Sequence, residues 1–578
     1  MTPAASSESP RAAAAAAPDD SSPLCGASSL DGTGRTTLLA WLLAALAAML
    51  WFATLDYRDL IHPDEGRYAE IAREMLVSGD WISPRLNGIL YFEKPPLQYW
   101  ATAVSFALFG LNEFAARLWP ALTGALGVAA VWAVARRTLG ARVALHAACV
   151  LGSSAWWLAN SHFLNLDMGV AVFMSLAMLG FWWAQRDEAS ARERRLGMYG
   201  AWAAMALAVL SKGLIGIVLP GAVLVAYAVV ARDFVVWRRM HWLGGIALFL
   251  AIAAPWFVVV SMRNPDFARF FFVHEHFERF LTTAHRRSQP IWFFLPVLAI
   301  GLMPWSSLLP GALALGWRRQ PGRFQPNRLL LVWALLIFVF FSLSGSKLPS
   351  YILPVFPALA LLVGQHAARL APRRLAAHLL VTLAVAGVLA IAMTASDRLL
   401  DLGSSAPLSM ELVYRNWLLG AAAVLGAASV AAALLARRGR IACAILVMAF
   451  GALIGVQAMM LGHQSFATLK SSRAMVEAIR DRLAPAAPFY SVGLYDQTLP
   501  FYLRRTVTLV EWQDEFEAGL RIEPWRSLPD LASFEAAWRA DVGASAVMKP
   551  DLEAKLQRAG LPMKAIYRDD NRVVVVKR

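Results

Sequence analysis

A chain of 578 residues that is 58% hydrophobic and only 16% charged is too apolar for an ordinary soluble protein. Its mean hydropathy of +0.51 predicts a polytopic membrane protein. The net charge of +15 does not indicate nucleic-acid binding, because the arginines form short clusters between apolar runs, as in the cytoplasmic loops of membrane proteins.

The chain begins with a polar tail followed by an apolar run. Residues 1–36 are mainly Ala, Ser, Pro and Gly, which cannot bury a core, so we predict a disordered tail. The run Leu38–Leu55 is long enough to span a bilayer, and no small-residue cleavage site is evident after it. We therefore interpret it as an uncleaved first helix that opens a transmembrane domain at residues 37–462.

Further apolar runs of about 20 residues predict additional membrane-spanning helices. With the first helix they make about 13 spans. The other runs lie near residues 114–135, 143–160, 168–185, 197–211, 214–231, 241–262, 291–316, 328–344, 351–368, 375–395, 416–436 and 441–461.

One apolar segment, Leu97–Leu111, is short for a span. If it does not cross, every alternate loop carries an arginine cluster; if it crossed, the first loop and these clusters would share a side, against the positive-inside rule. We therefore place it as an amphipathic or re-entrant helix on the outer surface. The clusters that define the inner side lie at residues 136–142, 186–195, 232–239, 318–328, 369–374 and 437–440.

From His463 onward the composition is that of a soluble domain. The segments FYSVGLY, TVTLV and VVVVK are strand-like, SSRAMVEAIRDRL and SFEAAWRA are helix-like, and a turn is expected at Asp569, Asp570 and Asn571. The fold predicted is an all-α polytopic membrane protein with helices lying on its outer face. A small α/β domain at residues 463–578 follows on that same outer side.

The first outer loop, residues 56–113, is far more polar than the sequence around it. Asp64 and Glu65 begin the amphipathic segment PDEGRYAEIAREML and are candidates for chemistry. Carboxylates in a first helical turn also complement the helix dipole, and that alternative stays open. Asp167 begins a predicted span, where an acid is costly unless it has a partner or a role.

Several cations fall on the outer side, where positive charge is disfavoured. Together they are suited to binding a phosphate at the level of the lipid headgroups; snorkelling from helix ends would explain any one of them. The set is Lys94, Arg117, Lys212, Arg279 and Lys347.

A metal pair is a further candidate, because Glu93 and His274 lie in two outer loops and His274 belongs to a compact His-Glu-His group. No HExxH motif or Cys/His spacing supports zinc, so a loop histidine facing water remains the alternative. No glycine-rich phosphate loop is present, so we expect no nucleotide cofactor.

The motifs HPDEGRYAEIAREML, YFEKPPLQYW, FGLNEFAARL and KLPSYILP resemble the integral-membrane glycosyltransferases of the GT-C class, which use polyprenyl-phosphate sugars. Within that class, YFEKPP together with HEHFERF and HRRSQPIWFFLPVLAIGLMPW is similar to the ArnT-like lipid A 4-amino-4-deoxy-L-arabinose transferases. The resemblance covers roughly residues 38–360; beyond them only the architecture matches.

The resemblance implies a GT-C fold and transfer of aminoarabinose from undecaprenyl phosphate to lipid A phosphates, which gives polymyxin resistance. It implies a multi-pass protein of the bacterial inner membrane with its active site and C-terminal domain in the periplasm. The expected partners are the lipid-linked donor, lipid A and membrane lipids, with no nucleic acid, and we expect a monomer.

The resemblance also implies roles for individual residues. Glu93 and His274 would hold a divalent ion such as zinc. Lys94, Arg279 and Tyr351 would bind the donor phosphate, Asp64 and Asp167 would be catalytic, and the residues lining the substrate site would be Tyr68, Tyr91, Glu65, Lys212 and Lys347.

Two other functions remain open. A protein O-mannosyltransferase-like enzyme would share the outer acid and the lipid donor, and would need Asp64 as a general base for a hydroxyl acceptor. A transporter or flippase of lipid-linked sugar would need no transfer chemistry, but its charges should lie at the middle of the membrane rather than in outer loops.

Overall fold

The computed structural model describes residues 32–272, 289–395 and 406–577, and these residues are mainly helical. Each predicted apolar run coincides with one helix or with helical segments separated by a short break. The helices before the C-terminal domain are α1 Gly32–Phe52, α2 Asp64–Ser78, α3 Leu97–Phe109, α4 Glu113–Thr138, α5 Ala141–Ser153, α6 Ala155–Ser161, α7 Leu166–Gln185, α8 Ala191–Lys212, α9 Ile215–Ala231, α10 Val235–Arg238, α11 Trp242–Arg263, α12 Phe294–Gly301, α13 Leu309–Trp317, α14 Pro326–Leu343, α15 Phe356–Arg369, α16 Pro372–Ala395, α17 Leu408–Arg437 and α18 Ile441–Gly462.

Within the described ranges, eight helical segments are long and apolar enough to cross a membrane. The number is nine if Phe294–Gly301 and Ser306–Trp317, which are bent by 113° at a short break, form one span. Ala141–Ser153 and Ile215–Ala231 are apolar but shorter. The multi-pass architecture is therefore confirmed, whereas the count of about 13 spans stays a prediction.

Side-chain caps fix where two of the functionally important helices begin. The side chain of Asn165 accepts a hydrogen bond from the Met168 amide at 2.9 Å and so starts α7 just before Asp167. Ser190 and Glu193 form a reciprocal capping box at the start of α8. These caps satisfy backbone donors that the first turn of a helix would otherwise leave unpaired.

Glycines bring α7 and α8 into close antiparallel contact. A Cβ atom on Gly180 would lie 2.9 Å from the carbonyl oxygen of Gly197, so only glycine allows the two backbones to approach this closely. Asp167 lies in the first turn of α7, and Lys212 is the last residue of α8. The antiparallel packing therefore brings these two residues to the same end of the helix pair.

The first loop folds as α2, a short hairpin of β1 (Arg85–Leu86) and β2 (Ile89–Leu90), and α3. The 13 residues of α3 bury Tyr99 and Phe106, and the Phe106 ring lies 5.7 Å from that of Phe501 in the C-terminal domain. Helix α3 thus packs against that domain, and its position on the outer surface of the membrane stays a prediction.

The C-terminal domain contains a six-stranded sheet of order β5-β4-β3-β6-β8-β7. Strands β5, β4, β3 and β6 run parallel, and β8 pairs antiparallel with β6 and β7. The predicted strands in FYSVGLY, TVTLV and VVVVK are confirmed as β3, β4 and β8, and residues 569–572 connect β7 to β8. The strands are β3 Phe489–Val492, β4 Thr508–Val510, β5 Ser527–Leu528, β6 Ser545–Met548, β7 Met563–Arg568 and β8 Val573–Lys577. The main helices are α19 Arg473–Ile479, α20 Thr498–Leu503, α21 Glu517–Ile522, α22 Leu531–Ala540 and α23 Pro550–Arg558, and two short helical turns, His463–Phe466 and Ala467–Lys470, come before them.

Ion pairs and apolar contacts fix this domain on the first loop. Arg473 contacts Asp59 at 3.2 Å and Glu113 at 2.9 Å, and the Tyr502 hydroxyl donates to Glu113 at 2.9 Å. One buried apolar cluster includes residues of α2, α3, α20 and the sheet. The domain is therefore positioned to contribute side chains to a site built on the first loop.

Candidate functional site

Glu65 and Arg117 form an ion pair in the protein interior. The guanidinium of Arg117 donates to both carboxylate oxygens of Glu65 at 2.7 and 2.8 Å, and both side chains are 0% exposed. The Glu65 oxygens also accept the backbone amides of Leu164 and Ile61. Burial opposes ionisation of Glu65, but the Arg117 charge and hydrogen bonds hold its pKa below the ordinary value.

This geometry corrects two expectations. Arg117 does not belong to an outer phosphate clamp, because its guanidinium is enclosed by Glu65 and by the carbonyls of Leu55, Arg58 and Asp59. Glu65 has no exposed surface with which to line a substrate site in this structure. The pair instead links the start of α2 to α4.

Asp64 is the accessible acid of the first loop. Its side chain is 41% exposed and accepts a hydrogen bond from Arg67 at 2.9 Å. Arg67 also pairs with Glu515, a carboxylate of the C-terminal domain that accepts a further bond from Gln497 at 2.6 Å. Sequence reasoning missed Glu515, because no motif surrounds it and only the tertiary fold brings it to Arg67.

Three tyrosines lie beside these charges. Tyr68 and Tyr91 are buried, and the Tyr68 ring is 6.1 Å from that of Tyr99. Burial raises the pKa of Tyr68 well above its ordinary value, and the Asp64 carboxylate raises it further. Burial and the Glu93 carboxylate do the same for the pKa of Tyr91. Both phenols therefore stay protonated at neutral pH and can donate hydrogen bonds.

Glu93 and Lys94 follow the hairpin of the first loop. The Lys94 ammonium donates to the Glu93 carbonyl at 2.8 Å and lies 3.9 Å from its carboxylate. Of the other members of the predicted donor and metal sites, His274 and Arg279 lie outside the described residues, whereas Tyr351 is described. Among the described residues no three His, Cys, Asp or Glu side chains group as metal ligands, so the metal stays a prediction.

A second polar group forms where α7 and α8 meet the KLPSY segment. The Lys212 ammonium pairs with Asp167, and the Ser350 hydroxyl donates to the other oxygen of that carboxylate at 2.9 Å. The same ammonium lies 4.7 Å from the centre of the Tyr351 ring. Three predicted site residues, Asp167, Lys212 and Tyr351, are thus brought together, with Ser350 added by the structure.

Lys347 has a different environment from the one expected. Its ammonium is largely buried and donates to the carbonyls of Gln289, at 3.0 Å, and Ser344, at 2.6 Å. These bonds fasten Gln289, the first described residue after the 273–288 gap, to the KLPSY loop. The predicted contact of Lys347 with substrate stays a prediction.

One apolar cluster is shared by the two segments that carry these polar groups. Phe92, which precedes Glu93, belongs to the same buried cluster as Leu210, two residues before Lys212. The candidate site thus comprises acids, ammonium groups and phenols from the first loop and from the ends of α7 and α8.

Comparison with known families gives two matches that together cover most of the site. Residues 36–271 match the family described as dolichyl-phosphate-mannose-protein mannosyltransferase. Residues 475–577 match the family described as aminoarabinose transferase C-terminal domain.

Individual relatives carry consistent names. The chain is 35% identical over 345 residues to "Undecaprenyl phosphate-alpha-4-amino-4-deoxy-L-arabinose arabinosyl transferase 2" of Pseudomonas fluorescens, an alignment that covers 58% of each protein. A protein of the same name without the numeral, from Pseudomonas paraeruginosa, is 38% identical over 56% of this chain and 59% of its own length. The alignments thus span less than two thirds of these curated relatives.

Solved structures extend the similarity over nearly the whole chain. The crystal structure of ArnT from Cupriavidus metallidurans bound to undecaprenyl phosphate is 41% identical, with a TM-score of 0.89. The match covers 93% of this chain and 98% of that one. The apo form of the same protein matches with a TM-score of 0.88.

Proposed function

Because the chain belongs to the ArnT family of membrane glycosyltransferases, we propose that it transfers 4-amino-4-deoxy-L-arabinose from undecaprenyl phosphate to lipid A phosphate groups. The observation that carries the proposal is the grouping of Asp64, Tyr68, Tyr91 and Glu93, the neighbour of Lys94, on one loop that packs against a domain of the aminoarabinose transferase type. The protein is a multi-pass inner-membrane protein, and we place the site and the C-terminal domain on the periplasmic side.

In the proposed reaction an oxygen of the lipid A phosphate attacks the anomeric carbon of the sugar. The bond from that carbon to the undecaprenyl phosphate oxygen breaks, and the leaving group takes the electron pair as a phosphate. Lys94 would stabilise the charge of this phosphate, with Arg279 as its expected partner. Electrostatic stabilisation in a water-poor site is worth several kcal/mol, on the order of 3 for one preorganised donor.

The role of Asp64 depends on whether the acceptor group must lose a proton before it attacks. A phosphate with a second pKa near 6 is already an anion at neutral pH and needs no strong base. We assign the accessible carboxylate of Asp64 to the substrate's amino group or to a residual acceptor proton, while Arg67 orients it. Tyr68 and Tyr91 would donate hydrogen bonds to sugar or phosphate oxygens.

The Asp167 group would act at the opposite wall of the site. Asp167 holds Lys212 over the Tyr351 ring, which fixes the ammonium in one position. A fixed ammonium at the end of α8 can bind the second phosphate of the reaction, that of the acceptor. Asp167 would then be a positioning residue that acts through Lys212.

We also propose a divalent cation, from Glu93 and the resemblance of its motif. Glu93 could supply a carboxylate ligand and His274 an imidazole, as zinc prefers. A bound cation would neutralise phosphate charge. No step above depends on it, and metal analysis of the purified protein by mass spectrometry tests it directly. We also propose a monomer, which sedimentation in detergent would test.

The central test is the mass of lipid A. Cells or vesicles containing the protein and the lipid-linked donor should yield lipid A with the mass increment of aminoarabinose. Asp64→Asn should reduce this product about tenfold or more, the loss of one charge-assisted contact with the substrate, whereas Asp551→Asn, which changes an exposed acid of the C-terminal domain, should leave it unchanged. Lipid A without the increment in the presence of active donor would overturn the proposal; a glycosylated polypeptide instead would favour the mannosyltransferase-like alternative that the match to residues 36–271 keeps available.

A further inference from the structure

An ion-pair network joins three loops that the arginine clusters place on the inner side. Arg323 precedes α14 and donates to Asp187, which follows α7, at 3.1 Å. It also pairs with Asp233, which follows α9, and donates to the carbonyl of Gln185 at 2.8 Å. The inner ends of α7, α9 and α14 thus form one continuous surface, at the opposite end of α7 from Asp167.

Two further arginines border this network with part of their guanidinium groups unsatisfied. The Nε of Arg194, in the first turn of α8, is buried and has no acceptor among the described residues, although its Nη2 donates to the Ala189 carbonyl at 3.3 Å. The Nη1 of Arg239, the residue that follows α10, is likewise buried and has no acceptor among the described residues. A buried donor without an acceptor costs about 1–3 kcal/mol. The oxygens of a bound anion would satisfy these donors.

The local charge also favours an anion. Burial lowers the pKa of Arg239, and the positive charges of Arg323 and Arg194 lower it further, against the opposing effect of Asp187 and Asp233. The two carboxylates are engaged by Arg323, and the nearby Arg186 is paired with Glu193 at 3.0 Å. Neither Arg194 nor Arg239 has an ion pair with a carboxylate among the described residues, and each keeps a buried N–H donor that the exposed arginines of this surface do not have.

Aromatic and apolar residues flank the two arginines in the chain. The Trp237 and Trp242 rings stack with centroids 6.1 Å apart, and Leu196, Phe234 and Leu243 are exposed. Tryptophan beside exposed apolar side chains is typical of the membrane–water interface. These neighbours therefore favour a lipid headgroup as the source of the anion.

We propose that Arg194 and Arg239 bind the phosphate of an anionic phospholipid at the inner surface of the membrane, with Arg323 and its two aspartates holding the surface in shape. The planar guanidinium suits bidentate phosphate contact, and basic pockets between helices on the cytoplasmic side are suited to anionic headgroups. The site is separate from the outer site and does not depend on the proposed transfer. A soluble phosphate compound shares the same chemistry, so the experiment distinguishes the two sources.

The test titrates phosphatidylglycerol into the detergent-purified full-length protein, with bound lipid counted by native mass spectrometry. Arg194→Gln combined with Arg239→Gln should weaken binding about tenfold or more, the loss of at least one charge-assisted hydrogen bond. The matched control removes the same charge from exposed arginines of the same helix turn, Arg192→Gln with Arg195→Gln, and should bind as the unaltered protein does. Phosphatidylcholine and inorganic phosphate complete the comparison.

Each outcome decides the proposal. Phosphatidylglycerol binding that is lost only in the test variant supports it. Inorganic phosphate that binds as tightly and is lost in the same variant supports the phosphate site but reassigns its source to a soluble compound. Equal weakening in test and control variants, or no weakening in the test variant, overturns it. If the glutamine variant does not fold, the charge-preserving Arg194→Lys with Arg239→Lys replaces it, and undiminished lipid binding there would overturn the bidentate contact.

Discussion

Two adjacent carboxylates of the first loop have opposite environments. Among the described residues Asp64 pairs with a neighbouring arginine of its own helix and is 41% exposed, whereas Glu65 is enclosed with Arg117. The sequence places both at the start of an amphipathic helix and gives no means of distinguishing them. The distinction arises because the helix turns Glu65 toward α4 and Asp64 toward the surface, a consequence of packing.

Substitutions of the two carboxylates should separate an effect on stability from an effect on activity. Glu65→Gln leaves the buried Arg117 guanidinium without its counter-charge and should destabilise the protein by about 3–5 kcal/mol. Asp64→Asn should change stability by no more than about 1 kcal/mol, because that pair is accessible to water. Thermal unfolding in detergent measures both. Equal losses of stability in the two variants would contradict the assigned roles.

A second prediction concerns Glu74 of α2. One carboxylate oxygen accepts the Gly88 amide at 2.8 Å, and the other is buried without a partner among the described residues. Burial raises the pKa of Glu74 well above its ordinary value of 4.5, and the neighbouring Glu70 carboxylate raises it further. The folded protein therefore holds this proton more tightly than the unfolded chain.

Stability should fall as the pH rises above about 4.5, where the unfolded chain loses the proton that the folded one keeps. Glu74→Gln removes that titration and should be less sensitive to pH between about pH 5 and pH 8. Unfolding temperatures measured across this range test the difference. Glu477→Gln, which removes an exposed acid, is the control; the same flattening there would exclude Glu74 as its source.

At the scale of elements, the close contact of α7 and α8 positions the Asp167 group. Gly180 has no room for a side chain, since its Cβ would lie 2.9 Å from the Gly197 carbonyl, whereas a Cβ on Gly200 would meet nothing within 4 Å. Gly180→Ala should therefore cost about 1–3 kcal/mol and displace Asp167 from Lys212. Gly200→Ala should be neutral or slightly stabilising, because alanine is the better helix former.

The measurement for this pair is transfer rate together with unfolding temperature. Gly180→Ala should lower both, and Gly200→Ala neither. An unchanged rate in a destabilised Gly180→Ala protein would show that the helix spacing does not set the position of Lys212.

The elements themselves were largely predictable from the sequence. Apolar length and arginine sidedness predict the helices and the surface position of α3, because these depend on the membrane rather than on partners. The convergence of Asp167, Lys212 and Tyr351 followed from sidedness together with the resemblance. The partners of Arg117 and Lys347 could not be predicted. Tertiary packing decides which carboxylate or carbonyl lies next to a cation, and the sequence does not show that packing.

At the scale of the whole molecule, the C-terminal domain completes the site through Glu515. This carboxylate holds Arg67, the partner of Asp64. Glu515→Gln should lower the transfer rate about tenfold while the domain stays folded, because it loses a charge-assisted contact worth about 1.5 kcal/mol. Glu517→Gln, which removes an exposed acid of the next helix, is the matched control.

A double-mutant cycle with Arg67→Gln tests the link. If Glu515 acts through Arg67, the second substitution should add little to the first. Additive losses would indicate that Glu515 contacts substrate independently or supports only the fold. Neither residue type nor spacing indicates this pair in the sequence, since its members come from separate domains.

Arg67 and Glu515 are separated by 448 residues, so most of the chain is synthesised between them. In the proposed topology the first loop is exported early and stays without this partner until the last domain has crossed the membrane and folded. A contact of such large sequence separation also carries a high entropic cost of loop closure, which slows folding. Only a finished chain therefore holds a complete site, and a protein arrested before its final domain should insert into the membrane without becoming an active transferase.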